Sequence, residues 1–268
     1  MLSSIFAKTV WERRRSIVWW ILGMVALAGL TVAFYPSIRN DAASFQGLFD
    51  SLPPELLAMF GTDDPASLVT AVGLVNSRLY AGPGPVILSV LGIGLGTAAV
   101  AGEEDRGTLD LLLAQPVSRT QIIVEKFAAA VVMIGLVVIA LFATLVALNP
   151  VVDLGFGLAG MFGANISLWL FALLFCALAL AVGSVTGNRG LTIGVSAGVI
   201  AATFFVNGLA PLVDSIAWMQ KLTPFYWLQD PNPLANGLAL WSTLAFAVVI
   251  ALLIGLAIWG LNRRDVSV

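Results

Sequence analysis

Residues 101–126 read AGEEDRGTLDLLLAQPVSRTQIIVEK, and they are the place where charge crowds into an otherwise apolar chain. Three acids, Glu103, Glu104 and Asp105, leave the preceding apolar run, and Arg106-Gly107 breaks the helix that carries them. Thr108 is a good N-cap for a new helix, with Asp110 favourably placed at its positive end. Leu109, Leu112 and Leu113 share one face of that helix, and Pro116 stops it. Ser118 then opens another helix, with Gln121 at capping-box spacing and Lys126 at the threshold of the next apolar run. The pattern is helix, turn, short Leu-faced helix over 108–114, turn, helix. Held stiffly between two apolar runs, such an element suits passing movement from a cytosolic partner into the runs on either side. A connector resting on lipid headgroups is the plainer alternative.

Working outward, the 268 residues are 59% hydrophobic and 10% charged. The mean hydropathy of +0.98 lies far outside the soluble range. Apolar runs long enough for ~30 Å of hydrocarbon at ~1.5 Å per residue cover about 17–34, 86–101, 127–148, 162–186, 191–209 and 238–261. The expected fold is an all-α polytopic membrane protein, one domain over 1–268 with six transmembrane helices. Lys8, Arg13, Arg14, Arg15, Arg106, Arg119, Lys126, Arg189, Arg263 and Arg264 fall on one side of this map, and only Arg39, Arg78 and Lys221 on the other. The positive-inside rule places both termini in the cytoplasm. A cleaved signal peptide ending near Ala26-Leu27-Ala28 is the competing use of the Arg13–Arg15 triplet, but the apolar run continues to spanning length. The triplet is therefore read as a topology anchor.

Residues 1–15 place Leu2, Ile5, Phe6 and Val10 at helical spacing, an amphipathic elbow helix expected to lie along the inner membrane surface. The segment 36–82 is a long outer excursion. Within it Pro53 and Pro54 suit the first turn of a short helix carrying Leu56, Leu57, Met59 and Phe60 and ending at Gly61. A second outer segment, 210–237, presents Phe225, Tyr226 and Trp227, expected as an interfacial aromatic belt. The cytosolic segment between the second and third spans is 102–126. Glycines recur at fourth positions, Gly92 and Gly96, Gly183 and Gly187, then Gly190, Gly194 and Gly198, and small-residue faces of this kind let helices approach closely.

Several chemistries are excluded. The chain has no histidine, so His-based zinc sites, triads and proton relays are absent. None of its lysines follows a glycine in a P-loop, so it holds no such ATPase site. Gly155-Phe-Gly-Leu-Ala-Gly160 matches a dinucleotide pattern by letter only, without the preceding strand. Asn165-Ile-Ser167 is a nominal glycosylation sequon at the end of a span and is discounted. The lone Cys176, mid-span, is read as a packing residue. The central parts of the spans carry no Asp, Glu, Lys or Arg, the usual mark of ion coupling.

Residues 102–126 resemble the signature of ABC-2 type transporter permeases. The cytosolic loop of that family after its second span reads roughly Glu-x-x-x-Gly-Thr-Leu, further Leu, Pro-x-Ser-Arg and a downstream Lys. Glu103, Gly107, Thr108, Leu109, Leu112, Pro116, Ser118, Arg119 and Lys126 fit it, and LPPELLAMFG over 52–61 is similar to what many small bacterial and archaeal members carry. The resemblance implies an exporter-type permease of the cell membrane that forms a translocation pathway with a second permease chain, identical or paralogous. Two copies of a cytosolic ABC ATPase subunit, binding ATP and Mg, would drive it. The permease itself would take no cofactor or metal and no nucleic acid. The coupling helix would sit in a groove of the ATPase, with Glu103, Glu104, Arg106 and Arg119 as charged rim and Leu109, Leu112 and Leu113 as anchor. Two other classes compete. A secondary transporter or channel would need the coupling charges that the spans lack, and a noncatalytic scaffold or immunity protein would use the segment for docking alone.

Overall fold

The computed structural model describes residues 4–53, 56–57, 64–109, 112, 114 and 117–264, and the regular elements among them are all helical. The α-helices are α1 (Ile5–Asn40), α2 (Ala42–Asp50), α3 (Ala71–Val75), α4 (Pro83–Ala99), α5 (Ala101–Asp105), α6 (Arg119–Leu148), α7 (Leu158–Thr186), α8 (Arg189–Leu209), α9 (Pro224–Gln229), α10 (Pro233–Asn236) and α11 (Leu240–Arg263). Among the described residues six segments are long and apolar enough to cross a bilayer: α1, Ala71–Ala99, α6, α7, Arg189–Leu212 and α11. Trp19, Leu30, Phe34, Ile139, Leu240 and Leu252 lie more than half exposed on their outer faces. In water such a surface would drive aggregation, whereas acyl chains solvate it. The chain is a multi-pass membrane protein.

The fourth span, α7, is the hub, with α4, α6, α8 and α11 packed around it. Its approach to α4 depends on glycine. A methyl group at Gly92 would overlap the carbonyl oxygen of Ala172, and one at Gly96 that of Cys176. Cys176, fully buried, is the packing residue its mid-span position suggested. At one end of the bundle Gly160 and Gly163 admit the backbone of Leu234 and Gly237, and at the other Gly260 of α11 comes against Val185. Gly194 and Gly198 on α8 meet nothing among the described residues, so that strip stays unfilled by them.

Three expectations change. The amphipathic elbow is not a separate helix: α1 runs unbroken from Ile5, because no Gly or Pro interrupts the sequence before Gly23. Its 36 residues measure about 54 Å, so its ends project beyond the hydrocarbon. The second span starts earlier than the apolar run, since Ala71–Ala81 is helical, partly π-helical, and buries Leu74, Val75, Leu79 and Tyr80. Finally, Phe225 is no belt residue. It is fully buried, edge-on to Phe171 at 4.8 Å and Phe204 at 5.3 Å, while Trp227 packs on Phe246. In the outer segment Leu56 and Leu57 are helical, and Pro54, Met59, Phe60 and Gly61 lie outside the described residues.

Gly92→Ala or Gly96→Ala is expected to cost about 1–3 kcal/mol through overpacking of α4 on α7. Gly94→Ala, which points into open space on the same helix, is expected to be neutral or stabilising by up to about 1 kcal/mol. Thermal unfolding in detergent distinguishes the two outcomes.

Candidate functional site

The second span does not run straight out into water. Val100, at φ −126° and ψ −66°, offsets α5 from α4, and Gly107, at φ +65°, turns the chain back after Arg106. Gly107 N–H donates to the Glu104 carbonyl and Thr108 N–H to that of Glu103, both at 2.9 Å. The Thr108 hydroxyl donates to the Glu103 carboxylate, tying the new segment to the turn before it. Leu112 N–H donates to the Thr108 carbonyl at 3.2 Å, so a helical turn starts at Thr108 as its N-cap character suggests.

Each of the three acids is matched to a different element. Lys126 on α6 donates to Glu103 at 2.8 Å, with the lysine side chain only 5% exposed and the glutamate 15%. Arg264, just past α11, forks onto Glu104 with nitrogen–oxygen distances of 2.6 and 3.1 Å. Arg189, at the start of α8, reaches Asp105 at 3.2 Å. From the other side of the loop Arg119 donates to the carbonyls of Leu261 and Arg264 at 2.6 and 2.7 Å, neutralising orphan acceptors at the end of α11. Gly187 ends α7 at φ +66°, and a side chain there would overlap the Glu104–Arg264 pair. The C-terminal ends of the second, fourth and sixth spans and the starts of the third and fifth thus meet around Glu103, Glu104, Asp105 and Arg119.

Beneath the charges lies a small apolar core of its own. Leu109 is buried with Val100, Ile123, Leu180, Ala257 and Leu261, and Leu112 packs partly against it. Ser118 accepts from Gln121 N–H at 3.1 Å, the N-cap read from sequence, but the Gln121 side chain reaches forward to Glu125 at 2.7 Å instead of closing the box. Glu125 also accepts from Phe6 N–H at 3.0 Å and so caps the exposed start of α1.

A family model for ABC-2 family transporter proteins matches residues 3–266, nearly the whole of this six-span chain. The chain belongs to the ABC-2 transporter family. Among curated proteins none matches it. As an ABC-2 permease it is the membrane subunit of an ABC transporter and lacks an ATPase site of its own.

In this permease the structure brings Glu103, Glu104, Gly107, Thr108, Leu109, Leu112 and Arg119 into one cluster, with Arg106 half exposed at its edge, 3.6 Å from Glu103, while Ser118 serves only as the N-cap of α6. Asp110, Leu113 and Pro116 lie outside the described residues. Leu109 faces its own spans, and Glu103, Glu104 and Arg119 are engaged within the chain. The acids do not simply emerge into water as the charge run suggested, because each finds a cation on a neighbouring helix end. Lys126, Arg189 and Arg264 were legible only as topology markers, and their pairing needed the fold. Burial alone would raise the Glu103 pKa. Hydrogen bonds from Lys126 and Thr108, with the charges of Lys126 and Arg106, outweigh it and hold the carboxyl below its ordinary value.

Two outcomes follow. Lys126→Met leaves the largely buried Glu103 with only the more distant, half-exposed Arg106 as a cation and is expected to cost roughly 2–4 kcal/mol, most of it recovered in Lys126→Met/Glu103→Leu, as measured by denaturation in detergent. Because the folded-state pKa of Glu103 is lowered, its contribution is complete above the ordinary glutamate range and is lost as pH falls through the lowered value. A pH series of unfolding temperatures should therefore show an acid-side loss that is smaller in Glu103→Gln.

Proposed function

We propose that this permease serves an ATP-driven exporter of the cell membrane. A second permease chain, identical or paralogous, completes the pathway, and two cytosolic ATPase subunits binding ATP and Mg power it. Both termini face the cytoplasm. Residues 102–126 are the coupling segment, with Arg106 and residues 108–114 offered to the ATPase. The observation that carries this reading is the clamping of that segment: α5 and Leu109 are held to α6 and α11 by the Lys126–Glu103 and Arg264–Glu104 pairs and the apolar cluster beneath, with the more exposed Arg189–Asp105 pair adding a weaker link to α8, so movement of the segment is passed to those helices. The unfilled strip at Gly194 and Gly198 supports close approach of a second permease chain.

The test is to express the permease with its natural chromosomal neighbours, purify it in mild detergent and look for a P-loop ATPase subunit that comes with it. Intact-mass analysis is expected to show equal numbers of both subunits. Arg106→Glu should weaken capture several-fold, and Leu112→Asp should abolish it while the permease itself remains monodisperse. Purification of a folded permease alone, or undiminished capture by both variants, would count against the coupling assignment.

A further inference from the structure

We propose that the permease carries a binding site for one anionic phospholipid in a cleft between its first and second spans, beside the coupling segment. The first span packs along α6 and the second along α7, which leaves the two apart at the end that bears the charged loop. A cavity of about 480 Å³ opens there, within the size range of ligand sites. Lys8, Arg13, Arg106 and Lys126 line it against Glu12 and Glu103, an excess of two positive charges. The acids are already committed: Glu103 holds Lys126 at 2.8 Å and Glu12 sits 3.9 Å from Lys8. Arg13 has no ion-pair partner among the described residues, and Arg106 has only the Glu103 oxygen that Lys126 already occupies. Thr9 and Ser16 add hydroxyls to the rim, while Leu95, Ala98 and Met133 form an apolar floor. A basic pocket of this kind between spans, at the level of the headgroups, suits a phosphate.

What makes the ligand a lipid is the continuation of the cleft. Ser16 also borders a second, mainly apolar hollow of about 360 Å³ lined by Trp19, Trp20, Gly23, Met24 and Ile87. Lys8, Glu12, Ser16, Trp20 and Gly23 occupy successive turns of one face of α1. On the facing span, Leu95 borders the charged cavity and Ile87 the apolar one, eight residues and about 12 Å further into the bilayer. The molecule that fills both has a phosphate at one end and an acyl chain at the other. Bound there, it would bridge α1 to the coupling segment through Arg106. The inference rests on the spans crossing a membrane and stands whether or not an ATPase drives them.

The test is native mass spectrometry of the full chain titrated with dioleoylphosphatidylglycerol, dioleoylphosphatidylcholine and glycerol phosphate. One phosphatidylglycerol per chain should be retained, about tenfold more strongly than phosphatidylcholine. The double variant Lys8→Gln/Arg13→Gln should lower retention about tenfold, and each single variant severalfold. Gly23→Leu, whose side chain enters open space and fills the apolar hollow without touching a charge, should lower it as far. Equal retention of phosphatidylcholine, or undiminished retention in these variants, would overturn the proposal. Displacement of the lipid by an equal concentration of glycerol phosphate would overturn it in favour of a site for soluble phosphates.

Discussion

Helices surrounded by acyl chains gain little by burying apolar side chains against one another, since the lipid is as apolar as they are. They hold together through close van der Waals contact, and the closest contact needs a missing side chain. In this permease that condition is met where Gly92 and Gly96 of α4 lie on the carbonyls of Ala172 and Cys176 of α7. With α4 seated there, α7 can serve as the hub, and the positions of α6, α8 and α11 follow from the faces of α7 that remain. At the same level of α7, Phe171 and Phe175 join Phe225 of α9 and Phe246 of α11 in an aromatic cluster.

At the end carrying the loop a different currency operates. Water reaches the helix termini, backbone carbonyls lack partners, and charge can be used without the full penalty of the hydrocarbon. The permease exploits this by giving each acid of α5 its own cation and by turning Arg119 onto the end of α11. Glycine again decides the geometry, this time at Gly187, whose left-handed backbone and lack of a side chain make room for the Glu104–Arg264 fork. Through α5, Leu109 and Arg119 the described part of the loop is thereby tied to the ends of α6, α8 and α11.

Much of this was readable before any coordinates. Hydropathy located six spans, since a length of apolar sequence set by bilayer thickness is a strong signal. The punctuation of 101–126 by Gly107, Thr108 and Ser118 located its turns, because caps and left-handed glycines act locally. What was not readable depended on neighbours distant in sequence. A basic residue before an apolar run marks the membrane boundary, and nothing in Lys126 itself says that it will be buried against Glu103. Phe225, flanked by Tyr226 and Trp227, looks interfacial until Phe171 and Phe204 are known to enclose it. The early start of the second span is hidden in the sequence because Asn76, Ser77, Arg78 and Gly82 dilute its hydropathy, although Leu79 and Tyr80 are fully buried.

Glu103, Glu104 and Asp105 are consecutive on a helix, so their side chains leave the axis about 100° apart. That is why three neighbours in sequence can address α6, α11 and α8 in turn. Such an arrangement behaves like the wards of a key. Deleting one residue between Val100 and Glu103 would rotate the whole set, offering Glu104 to the lysine and Asp105 to the arginine beyond α11, and inserting one would offer Glu103 to that arginine and Glu104 to Arg189, with no compensating adjustment elsewhere. Substitution at one of these positions disturbs one pairing, whereas a change in length disturbs all three at once. Lineages of this permease should therefore tolerate drift in the identity of these side chains far better than any change in their number.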